Sequence, residues 1–287
     1  MRAIDSGPPR AFRGGPAGVA VASWLLRLAV LGYAIGMVSA VQRKLGSGLG
    51  TYFFLEWGFT HPQVAPVERL AAWLLLALAI AALLRPHWAL ALPIALLVTL
   101  EAAAQYFNAG FPFSQWTLYA HALRYGAPAA LAVLYIGLLS RGLGPHRHLS
   151  LTAWLLRAAL ATVFTVHGIE ALMQHPRFID YIIGTAYNFT GHFLSEFVTV
   201  QIMRAIGVVD ILVAVLVLVR PRPAVLYWMA FWGLVTALAR VTTFGVGHHH
   251  EVLVRSAHFL APLAVLCILS AIPRDRGVQD HAPGAAS

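Results

Sequence analysis

Residues 67–106 read VERLAAWLLLALAIAALLRPHWALALPIALLVTLEAAAQY, and their pattern sets the fold. Two apolar runs, 67–84 and 87–106, flank Arg85-Pro86-His87-Trp88. Each approaches the roughly 20 residues that cross a bilayer core of about 30 Å. Proline blocks helix continuation, so the joint is a tight turn between two spans. The same pattern recurs outward at 19–41, 117–139, 151–172, 204–219, 224–244 and 254–272. The expected fold is therefore all-α: a polytopic membrane protein of eight transmembrane helices. Composition agrees. Of 287 residues, 59% are hydrophobic and 11% charged, and the mean hydropathy is +0.73. A soluble domain of that make-up would lack the polar surface to cover itself.

A net charge of +9 suggests nucleic acid at first sight. The basic residues instead sit in short clusters between apolar runs, which excludes a continuous basic face and, with it, a nucleic-acid partner. The bilayer is the expected partner. The single cysteine, Cys267, lies in an apolar run and builds neither a disulfide framework nor a thiolate metal site. Residues 1–18 read as a disordered basic tail and 274–287 as a polar one. A cleaved signal peptide competes for the N-terminus, but the apolar stretch there is as long as a full span and carries Arg27. Inner segments hold ten arginines if the N-terminus is inside (2, 10, 13, 85, 141, 147, 220, 222, 274, 276), against six Lys and Arg outside (43, 44, 69, 177, 204, 255). The expectation is N-in and C-in, in a bacterial cytoplasmic membrane. The long outer connections after the first and fifth spans are aromatic (Tyr52-Phe53-Phe54; Phe178 to Ile183) and read as interfacial segments covering the outer mouth.

Sliding the chain on itself by 130 to 137 positions reveals a repeat. Arg27 aligns with Arg157. Arg69 and Arg85-Pro86 align with Arg204 and Arg220-Pro221. Val98-Thr99, Phe107 and Gly110 align with Val235-Thr236, Phe244 and Gly247, and Ala120-His121 with Ala257-His258. Two four-helix units, 19–140 and 151–273, follow. An even number of spans per unit gives both copies one orientation, related by an axis along the membrane normal.

Ionisable groups inside spans cost about 3 kcal/mol or more and mark functional candidates. His167, Glu170, Asp210, Arg240 and His258 are the candidate catalytic set, expected to converge near the outer surface, with Glu101 and His121 as candidate cofactor-binding residues. Bland readings stand beside these. Arg27, Arg69, Arg157 and Arg204 would snorkel from helix ends. His121 and His258 would bond across helices, and Asp210 would neutralise Arg240 as a buried pair. The run His248-His249-His250-Glu251 offers imidazole and carboxylate ligands for a transition metal, with His258, His61, His175 or His192 as a fourth, although no regular ligand spacing is present. Phosphate-binding, dinucleotide and covalent haem motifs are absent from the sequence. Histidines on facing helices suit haem or a quinone, whose carbonyls take donors such as His or Arg.

The Arg27 and Arg157 openings, the glycines at outer helix ends (Gly32, Gly36, Gly168), the long following loop, the Arg-Pro inner turn and the late His121 and His258 resemble the DoxX/DoxD-like superfamily of small membrane proteins. The resemblance implies a four-helix membrane unit, here duplicated, and an association with quinone-linked sulfur oxidation or oxidative-stress complexes. The leading expectation is a redox-associated protein meeting quinone at an outward-facing polar pocket, with a periplasmic or membrane redox partner. The alternatives are a metal-handling protein using the histidine-rich loop and a non-catalytic assembly subunit.

Overall fold

The computed structural model describes residues 16–108, 113–139 and 147–272. Both tails, apart from residues 16–18, and the anchors Gly110 and Arg141 lie outside them. Most of the described residues are helical, and none of them forms a strand. The first unit comprises α1 (Pro16–Gln42), α2 (Gly48–Glu56), α3 (His61–Leu84), α4 (Trp88–Phe107), α5 (Ser114–Ala120) and α6 (Ala122–Leu139). The second comprises α7 (Arg147–Leu172), α8 (Pro176–Thr190), α9 (Glu196–Val219), α10 (Pro223–Phe244), α11 (His249–Leu253) and α12 (Ser256–Ala271). Seven helices, with α5 and α6 counted as one, are long and apolar enough to cross a membrane. An eighth span follows if the pair 246–253 and 256–271, bent by 41°, is counted as one. The chain is thus an all-α polytopic membrane protein.

Neighbours within the units match pair by pair. The first helix of each unit packs on the second and fourth spans (α1 on α3 and α6; α7 on α9 and α12), and the third packs on the fourth (α4 on α6; α10 on α12). The short helices α2 and α8 lie over the second and third spans of their own unit. Between units, α1 meets α12 as α7 meets α6, and α11 touches α1 as α5 touches α7. Exchanging the units maps this set of contacts onto itself, as a twofold axis along the bundle would require. The main core is built at that junction, from Leu26 of α1, Leu131 of α6, Leu160 of α7 and Val265 of α12, among others.

Arg27 and Arg157 correct one expectation. Both are buried and do not snorkel. Arg27 donates from Nη1 to the Leu83 carbonyl at 2.7 Å, and Arg157 from Nε to the Val217 carbonyl at 2.8 Å and from Nη2 to Leu218. Each guanidinium therefore satisfies carbonyls that the end of the second span leaves unpaired. Each also stacks on a tryptophan three residues earlier, 3.9 Å from the Trp24 ring and 4.0 Å from Trp154. Arg69 and Arg204 are exposed, each about two turns into its helix rather than at the end.

Candidate functional site

In α7 and α9, Gly168 and Gly207 face each other. A Cβ on Gly168 would meet the Gly207 carbonyl at 2.8 Å, and one on Gly207 would meet the Gly168 carbonyl at 2.7 Å. Small residues of this kind let membrane helices approach closely, and here they set His167 and Asp210 beside one space. That space is a cavity of about 370 Å³ enclosed by α7, α8, α9, α10 and α12. Its walls are mostly apolar, including Val163, Phe164, Phe178, Ile206 and Val235. His167, Asp210, Arg240, Arg255 and His258 are among its polar points, with Thr185 and Thr236.

α8 forms the roof. Pro176 occupies its first turn, the His175 Nδ1 accepts from the Arg177 amide at 3.2 Å, and Gly191 ends it at φ +72°. Phe178, Tyr181, Ile182, Thr185 and Ala186 recur at helical spacing and turn one face to the cavity. His175 is held between two rings, 4.3 Å from Phe113 and 4.9 Å from Phe178, and burial pushes its imidazole below the usual range.

Four of the five candidate catalytic residues line the cavity, and the fifth is bonded to one of them. The His167 and His258 rings stack at 6.2 Å. His167 Nδ1 and Glu170 Oε2 are 2.8 Å apart, a pairing set by their i,i+3 spacing. The His258 Nδ1 and the Asp210 Oδ1 are buried with no hydrogen-bond partner. The suggested Asp210–Arg240 pair does not form. The Arg240 Nε instead lies 3.3 Å from Glu251 Oε2, and its guanidinium lies over the Tyr181 ring at 4.6 Å. Glu251 also meets Arg255 Nη1 at 3.5 Å and His248 Nδ1 at 3.1 Å. One carboxylate thus bridges two guanidiniums, a network for which the sequence offered one clue, the i,i+4 spacing of Glu251 and Arg255.

The candidate cofactor residues of the first unit have other settings. Glu101 accepts from the Gly48 amide and, at 3.1 Å, from the Leu49 amide, so it caps the start of α2, where a carboxylate also suits the helix dipole. Gln105 donates to it as well, at 3.2 Å. Its oxygens are occupied by the fold, which weighs against a cofactor role. His121 ends α5 at the junction of the units, close enough to Arg124, Arg255, His258 and His167 to interact electrostatically with each. It does not line the cavity.

Of the metal-like run, His248, His250 and Glu251 bring one ligand atom each within 4.8 Å of one another. His249 is directed elsewhere, its Nε2 3.0 Å from the Ser39 Oγ. Arg240 and Arg255 compete for the same carboxylate that a cation would need, which weakens the cluster as a metal centre.

The first unit holds the counterpart of the cavity, shrunk to about 30 Å³. Shifting by the repeat offsets, Tyr33, Met37, Leu75 and Val98 line it where Val163, His167, Asp210 and Val235 line the large one. Tyrosine in place of valine, with methionine and leucine in place of histidine and aspartate, fills the space with buried carbon. Compared with protein families, curated proteins and solved structures, the chain matches none.

Proposed function

We propose that the second unit binds a lipid-soluble ring bearing carbonyl oxygens, of the quinone class, and that the protein serves membrane redox chemistry. The observation that carries this reading is the cavity of about 370 Å³, open in one unit and closed in its copy. Small-molecule sites are concave, mostly apolar and set with a few convergent polar groups. Here Arg240 and His258 offer donors to a carbonyl oxygen. The hydrogen-bonded His167–Glu170 pair beside them places an exchangeable proton next to the site. His175, half-buried at the turn after α7, continues this line of titratable groups toward water. The resemblance of each unit to DoxX/DoxD-like proteins agrees with a quinone-linked role. The arginine distribution supports N-in and C-in in a bacterial cytoplasmic membrane, with the cavity end facing outward toward a redox partner.

Equilibrium binding of a short-chain benzoquinone to the protein in lipid nanodiscs tests the reading. Saturable binding at one site is expected, and Val163→Tyr, which installs the first unit's residue, should abolish it while the protein stays folded. An absence of saturable binding, or binding indifferent to Val163→Tyr, overturns the proposal. An absorption spectrum and metal analysis of the purified protein provide a second test: a haem band or stoichiometric copper would replace the quinone reading with another redox class.

A further inference from the structure

The third spans of the two units carry identical side chains at equivalent positions and expose them differently. Val98 and Ala102 in α4 are 2% and 1% exposed, whereas Val235 and Ala239 in α10, 137 positions on, are only half-buried. Opposite them on α9, Ile202, Ile206 and Asp210 form one stripe at successive turns, and both isoleucines are likewise half-buried while lining the cavity. The gap between α9 and α10 has two defined ends. Deeper in the bundle it ends where Asp210 of α9 and Trp232 of α10 both line the cavity, and at the other end α8 lies across both helices. The residues flanking the gap on the outer circumference, Val209, Phe231, Leu234 and Leu238, are exposed and apolar, so they face lipid.

An aliphatic gap between two spans opens sideways into acyl chains. A cavity of about 370 Å³ lies at the small end of the roughly 300–1,000 Å³ typical of ligand sites, enough for a ring and too small for a ring with a long tail. We infer that the α9–α10 gap is a lateral portal, and that the ligand is a long-chain molecule resident in the bilayer, with its ring beneath α8 and its tail passing between Ile206 and Ala239 into lipid. This rests on the ring-binding reading above. The tail never leaves hydrocarbon, so entry carries no cost of drawing it through water.

The test compares two probes in nanodiscs, a benzoquinone without a tail and the same ring with a ten-carbon tail, against Val209→Trp and Leu238→Trp. Both positions flank the gap outside the cavity lining and are exposed, so the added bulk closes the gap from the lipid side and spares the ring site. Val209→Phe provides a milder variant should either fold poorly. Expected is a loss of about tenfold in affinity for the tailed probe, with binding of the tailless ring unchanged. If both probes lose affinity equally, the substitutions act on the ring site and the portal is overturned. If neither loses affinity, no tail lies in the gap and the portal is again overturned. If the tailless ring fails to bind the unaltered protein, the ring-binding reading itself falls and takes the portal with it.

Discussion

Arg157 and Arg27 show how a single side chain can hold two spans together in lipid. Each guanidinium bonds carbonyls at the end of the neighbouring span and stacks on a tryptophan of its own helix. Arg157→Ala would leave the Val217 and Leu218 carbonyls unpaired in a medium with no water to replace the donor. A loss of about 2 kcal/mol is expected, read as a lower melting temperature in detergent, with Arg157→Lys recovering only part because an ammonium lacks the planar fork. The Glu251 bridge is more sensitive. Glu251→Gln would leave Arg240 and Arg255 facing each other without a counter-charge, and removing one partner of a buried ionic network costs about 3 kcal/mol or more. Its expected signature is a fall in the yield of monodisperse protein that Glu251→Asp partly restores. His175 yields a prediction in pH. Because burial lowers its folded-state pKa, the neutral ring is favoured on folding. Its contribution is therefore complete above the usual histidine value and is lost as pH falls through the folded value. Thermal melts from pH 8 to pH 5 should show this acid-side loss, and His175→Phe, which keeps the stack, should reduce it. The roles of the two span arginines were not legible in the sequence, since their carbonyl partners lie on another helix some 60 residues away.

Helix boundaries were the most legible feature, because hydrocarbon demands long uninterrupted apolar runs. The largest shift is informative. The sixth span was expected over 204–219 but runs from Glu196 to Val219. Glu196, Gln201 and Arg204 make its first turns look like loop, yet Ser195 caps it, its Oγ accepting from the Val198 amide at 3.3 Å. The aromatic connections form the short helices α2 and α8, and α8 turns one face to the cavity. What periodicity could not reveal was that α8 roofs a cavity while the start of α2, its copy, is pinned to two spans beside a different hollow of about 630 Å³. That difference comes from Glu101 and Glu68. They take the amides of Gly48, Leu49 and Ser47 and fasten the start of α2 to α3 and α4. Glu101→Gln should loosen this attachment, and proteolysis within 43–60 should accelerate while binding in the second unit is unchanged.

At the scale of the molecule, helix contacts within residues 16–139 and within 147–272 agree pair by pair. The convergence of polar groups was legible because desolvation makes such groups seek one another; the asymmetry between cavities was not, because it depends on the volumes of Tyr33, Met37 and Leu75 against Val163, His167 and Asp210. Reporter fusions at Arg85, Arg141 and Arg220 are expected to register on the cytoplasmic side, and an external signal at any of them would invert the orientation proposed here. The unequal cavities also bear on stoichiometry. Two identical subunits related by a twofold axis must present two identical pockets, and any change that closes one closes both. Joining the two halves in one polypeptide releases that constraint: the space that admits a ring in the second half is reduced to about 30 Å³ in the first, whose larger hollow of about 630 Å³ lies elsewhere, beside α2. Occupancy should accordingly saturate at one ligand per chain, along a simple hyperbola without cooperativity.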